Sequence, residues 1–137
     1  MAPAKRAAYA VAQSRFVAAA ASRIDAVVVL AYHRIGSPGD DGDPEIWSAT
    51  ADELDRQLEL VSERFEVIAP SQVGAALARS GRYAAITFDD GYRDFLEEAL
   101  PVLAAHEAPA ALFVCSDLVG SDTKPCGASG QILSSVG

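Results

Sequence analysis

Ile86-Thr87-Phe88-Asp89-Asp90-Gly91-Tyr92-Arg93-Asp94-Phe95 is the stretch on which the reading of this chain turns. A short apolar run, residues 83–88, stops at two adjacent carboxylates and a glycine. An apolar run of that length closed by turn residues reads as a strand. Neighbouring side chains of a strand point to opposite faces. At the strand end, with Gly91 loosening the backbone, Asp89 and Asp90 can reach one cleft from different directions. That geometry suits a division of labour in which one carboxylate binds a metal and the other handles a proton. Taken alone, Asp-Asp-Gly is equally the composition of a turn after a strand.

Outward from this run, strands and helices alternate. Residues 26–32 form a continuous Val-rich apolar run, the pattern of a strand buried on both faces in a parallel sheet. Residues 36–44 form a loop whose three aspartates lack the spacing of a calcium-binding EF-hand, so a solvated turn is expected. Thr50-Ala51-Asp52-Glu53 is a capping-box signature. The helix it opens carries Leu54, Leu58, Val61 and Phe65 at helical spacing, read as core packing. A short strand is expected over 66–69, then a helix from Pro70 to Leu77 ended by Ser80-Gly81. Residues 93–105 read as a helix interrupted at Pro101, which cannot donate to the preceding turn. A fourth strand is expected over 109–115, with Cys115 a small buried residue at its end. The alternation predicts a parallel α/β architecture. In barrels of this kind the strands' C-terminal ends share one face, which would gather His33, Asp89 and Asp90 there.

The run Thr87-Phe88-Asp89-Asp90-Gly91-Tyr92 resembles the first motif of the polysaccharide deacetylases, the NodB-homology group of carbohydrate esterase family 4. Residues 28–35, Val-Val-Leu-Ala-Tyr-His-Arg-Ile, resemble the Tyr-His strand that opens the domain in many members. The likeness runs over roughly residues 26–120. It implies a (β/α) barrel-like fold, here truncated to about four strands. It also implies metal-dependent hydrolysis of N- or O-acetyl groups on a glycan such as chitooligosaccharide, peptidoglycan or poly-N-acetylglucosamine. By the same resemblance Asp89 is the general base, Asp90 a ligand of a divalent metal, expected to be zinc, and His33 and Tyr92 cleft residues. The family's His-x-x-x-His metal motif is absent: the chain has two histidines, His33 and His106, both ahead of the fourth strand. A catalytic zinc usually takes three protein ligands. The site in these 137 residues is therefore expected to be incomplete, and the chain inactive by itself. Two alternatives stand beside this reading, a non-catalytic α/β remnant and a phosphotransfer module built on Asp89 or Asp90. The second lacks a suitably placed lysine.

Composition bounds the rest. At 137 residues the chain holds one domain at most. The organisation expected is an Ala-rich helix over 1–25, the deacetylase-like part over 26–120 and a Ser/Gly-rich flexible tail over 121–137. A formal net charge of −8 would repel nucleic acid. No apolar run is long enough to cross a membrane as a helix. The N-terminal apolar run is interrupted by Gln13, Ser14 and Arg15, which favours a helix lying on the domain over a signal peptide, and so a cytoplasmic location over export. Cys115 and Cys126 fit no zinc spacing and make no disulfide framework. His106, at the end of a helix, suits the helix dipole. Trp47 and Tyr92 could stack on sugar rings or pack in the core.

Overall fold

The computed structural model describes residues 24–37 and 46–118. The expected helix at the N-terminus, the tail over 121–137 and most of the 36–44 loop lie outside the described residues.

β5 (Arg82–Phe88) organises the fold. β1 (Ala26–Tyr32) runs parallel along its whole length, from Ala26 opposite Arg82 to Tyr32 opposite Phe88. On its other flank β4 (Glu66–Val67) pairs near its start, and β6 (Ala110–Leu112) pairs near its end, both parallel. The four-strand parallel sheet is thus as expected, with β5 at its centre. A further two-stranded parallel pair, β2 (Arg34–Ile35) with β3 (Trp47–Ala49), had no counterpart in the sequence reading.

α1 (Ala51–Ser62) starts where the capping box predicts. Thr50 Oγ1 accepts from the Glu53 amide at 3.2 Å, and the Thr50 amide donates to Glu53 Oε2 at 2.9 Å. The Thr50 amide, and then the Thr50 hydroxyl donating to the same oxygen at 3.1 Å, hold the Glu53 carboxyl below its ordinary range. Leu54 and Leu58 are fully buried, whereas Val61 and Phe65 are only half-buried. A 3₁₀ turn (Pro70–Gln72) leads into the short α2 (Val73–Ala76). The interruption expected at Pro101 takes the form of one wide π turn, Phe95–Ala99, running into α3 (Leu100–Ala105). Pro101 sits in the first turn of α3, where its missing N–H costs least.

Two apolar clusters flank the sheet. The larger joins Tyr32, Ile35, Leu54, Leu58, Ile86, Phe88, Ala99 and Leu103. The smaller joins Ile68, Ala76 and Tyr83. β5 feeds both, so every residue from 83 to 88 is buried. β1 corrects the expectation of burial on both faces: Val29 and Ala31 are exposed, while Tyr32 turns into the larger cluster. β1 pairs with β5 alone within this sheet, and on the face of Val29 and Ala31 it is Val27 that packs against the smaller cluster. β6 is also shorter than expected, and Phe113, Val114 and Cys115 beyond it are exposed.

Candidate active site

The two longest strands end level with each other, and the candidate residues follow directly. Tyr32 and Phe88 are register partners whose rings stack at 5.2 Å, and Phe95 meets Phe88 edge-on at 4.9 Å. The Asp89 amide donates to the Tyr32 carbonyl at 2.9 Å, and the Phe113 amide to the Phe88 carbonyl at 2.8 Å. This apolar floor fixes where the chain leaves the sheet.

His33 and Asp89 then face each other. His33 Nε2 lies 3.9 Å from Asp89 Oδ2, with both side chains partly exposed. That separation makes an ion pair when the imidazole carries a proton, and it is too long for a direct hydrogen bond. The expectation that strand ends would gather His33 and the aspartates therefore holds for His33 and Asp89.

Asp90 leaves the sheet in another direction because of its backbone. Its φ is +69°, and the Gly91 amide bonds back to the Asp89 carbonyl at 2.9 Å. A hydrogen bond spanning two residues across a central positive φ is the pattern of the rarer, strained γ-turn. For a residue other than glycine such a conformation costs about 1–3 kcal/mol. The sequence reading assigned the freedom of this turn to Gly91. Gly91 does take a φ of +77°, but the strained position is Asp90 itself. Gly91 has a second constraint, since a Cβ there would come within 2.9 Å of Val114 Cγ1.

Cys115 corrects another expectation. It is exposed rather than buried, and its thiol lies 3.7 Å from Asp90 Oδ1, within reach as a donor. Reduced hydration, then the charge of Asp90, raise the thiol above its ordinary range. Tyr92 is buried, with 3% exposure. Burial first, and the Asp90 charge second, push its phenol up, so the ring stays neutral. Trp47 and Tyr92 lie against Arg34, whose guanidinium sits 3.9 Å from the Trp47 ring centre and 4.8 Å from that of Tyr92. Those ring faces are spent on a cation rather than open to a sugar. His106 caps α3 as expected and also pairs with Asp55 at 2.7 Å.

Sequence reasoning missed the Arg34–Asp94 pair. Arg34 Nε donates to Asp94 Oδ2 at 2.8 Å, and the Ile35 amide donates to Asp94 Oδ1 at 3.0 Å. Both residues are buried. The available signal was a cation inside the apolar run 28–35, since a buried Arg requires a buried partner.

Among the described residues, no three His, Cys, Asp or Glu side chains gather closely enough to hold a metal ion. Asp90 and Cys115 make two donors, one short of an ordinary catalytic zinc site. The described residues therefore do not fit a complete zinc centre. No described helix is long and apolar enough to cross a membrane.

Residues 77–132 match the family model for polysaccharide deacetylases. No curated protein matches the sequence. Among solved structures, the fold is similar to IcaB from Ammonifex degensii, with 26% identity over 80% of this chain and 46% of that one, and a TM-score of 0.65. It is similar to the deacetylase PplD of Streptococcus pyogenes, solved with acetate, at 23% identity over 80% and 50% of the two chains and a TM-score of 0.59. A third likeness is to a de-N-acetylase of Aggregatibacter actinomycetemcomitans, at 20% identity over 79% and 45%, with a TM-score of 0.56. This chain spans about half the length of these solved structures. The matched family region includes the strand and turn that carry the two aspartates, and the fold around them is similar to that of the solved deacetylases: the chain resembles the polysaccharide deacetylases over part of their domain.

Proposed function

We propose that this chain supplies the general base and one metal ligand for hydrolysis of N- or O-acetyl groups on a glycan. The candidate substrates are chitooligosaccharide, peptidoglycan and poly-N-acetylglucosamine. Asp89 is the base and Asp90 the ligand. The observation that carries this reading is the divergence of the two carboxylates: Asp89 faces His33 at 3.9 Å, while the turn at Asp90 sends its carboxylate toward Cys115.

Asp89 stands at the open end of the sheet, where a water could give up its proton to it. The backbone bond to Tyr32 fixes the root of that side chain. His33 Nε2 faces the Asp89 carboxylate at 3.9 Å across the same end of the sheet. A divalent metal, when bound, supplies Lewis-acid stabilisation of the acetyl carbonyl. Asp90 is the donor this chain brings to it, and the remaining ligands come from outside the described residues.

Acetate release from acetylated chitooligosaccharide tests the proposal. The purified chain alone is expected to release none. Release should appear when a segment carrying a family member's His-x-x-x-His motif is supplied in trans, and Asp89→Asn should abolish it. Metal-dependent release by the chain alone, or release that survives Asp89→Asn, would overturn the assignment.

A further inference from the structure

The Arg34–Asp94 pair has no part in the proposed chemistry, yet it is buried beside the site. We infer that Arg34, through Asp94, is a positioning residue that holds the strained turn at Asp90 and the facing His33 in place. This rests on reading Asp89 and Asp90 as the functional carboxylates.

Two tethers hold the turn. Residues 89–94 leave the sheet for the helical segment beyond, and both ends are tied to the same short stretch, residues 32–35. At the near end the Asp89 amide bonds to the Tyr32 carbonyl at 2.9 Å. At the far end Asp94 takes the Arg34 Nε–H at 2.8 Å and the Ile35 amide at 3.0 Å, so both of its oxygens are committed. Between the two ties lies Asp90, in a conformation that a non-glycine residue leaves when it is free to do so. His33 lies on the opposite side, between Tyr32 and Arg34, and its own amide donates to Ser48 Oγ at 2.9 Å. One clamp therefore sets the turn and the histidine together.

The chemistry of the clamp suits geometry better than stability. Replacing a buried ion pair by apolar groups of similar volume is often neutral or stabilising, because the charges lose their hydration. What an apolar pair lacks is direction. The Arg34 guanidinium is planar and lies between the Trp47 and Tyr92 rings, so its fork meets Asp94 in one orientation. Tyr92 itself belongs to the clamped segment, which ties the middle of the turn to the same cation.

Amide hydrogen exchange on the full chain tests this without metal or substrate. The reporters are the amides of Asp89 and Gly91, which close the turn, with Ile86 in the centre of β5 as the measure of global opening. Because Asp94→Leu also leaves the buried Ile35 amide without its acceptor, the double variant Arg34→Met/Asp94→Leu should lower Ile86 protection by about tenfold and speed exchange at Asp89 and Gly91 by about tenfold or more beyond that. Arg34→Lys keeps the charge and loses the planar fork, and it should loosen the same two amides selectively. Equal loss at all three amides would mean that the pair is merely structural. Unchanged protection at Asp89 and Gly91 in both variants would mean that something else holds the turn. Either result overturns the inference. Failure of acetate release would instead count against the deacetylase reading, so the two failures are separable.

Discussion

β5 and β6 are neighbouring parallel strands of similar apolar composition, and they meet opposite fates. Phe88, at the end of β5, is fully buried between Tyr32 and Phe95, while Phe113, just past β6, is 58% exposed. Their backbones are joined, since the Phe113 amide bonds to the Phe88 carbonyl. The difference is position. β5 has β1 on one flank, β4 and β6 on the other, and an apolar cluster on each face. Among the described residues β6 pairs with β5 alone. Hydrophobicity marks a segment as fit for burial, and the sheet decides which segment is covered. The candidate site uses the covered one, because carboxylates held at fixed angles need a rigid root.

Substitutions at the two phenylalanines give the largest expected contrast. Phe88→Ala should destabilise the chain by about 3–5 kcal/mol in urea denaturation, through the cavity left beneath the site. Phe113→Ala should stay within about 0.5 kcal/mol of the parent. Similar costs at both positions would mean that the two strand ends are covered alike.

Gly91→Ala probes the place where the two strand ends touch. A left-handed φ and the close approach of Val114 both oppose a methyl group there. A loss of about 1–3 kcal/mol is expected by the same measurement. A neutral result would show that the segment after β6 does not pack on the aspartate turn.

The start of α1 is the contrasting case, a feature independent of the sheet. Thr50→Ala should cost about 1 kcal/mol at neutral pH. Its pH dependence follows from Glu53, whose carboxyl in the folded state lies below the ordinary 4.5. A lowered folded value means that this contribution is complete above about pH 4.5 and fades as pH falls through the lowered value. Denaturation of the parent and Thr50→Ala at about pH 7 and about pH 3 should therefore show the difference shrinking with acid.

These cases show what was legible in the sequence. The capping box, the strand Arg82–Phe88 and the break near Pro101 depend on residues a few positions apart, and all three could be read directly. The aspartate turn was half legible. Its place was plain from the abrupt end of the apolar run, but positive φ at Asp90 is imposed by contacts and leaves no mark in composition. Arg34 and Asp94 lie sixty positions apart and come together only through the β1–β5 crossover, so no local pattern joins them. The exposure of Cys115 was misread because its apolar neighbours suggested a strand that in fact ends at Leu112. β3 is three residues long, too short for any periodicity to reveal.

Zinc titration of the full chain, followed by amide NMR and calorimetry, asks whether Asp90 is a metal ligand. If Asp90 is the ligand this chain brings, binding should be weak, far below that of a three-ligand site. The shifts should centre on Asp90, Gly91 and Cys115 and be lost in Asp90→Ala. Tight one-to-one binding that survives Asp90→Ala, or shifts centred instead on His106 and Asp55, would contradict the account.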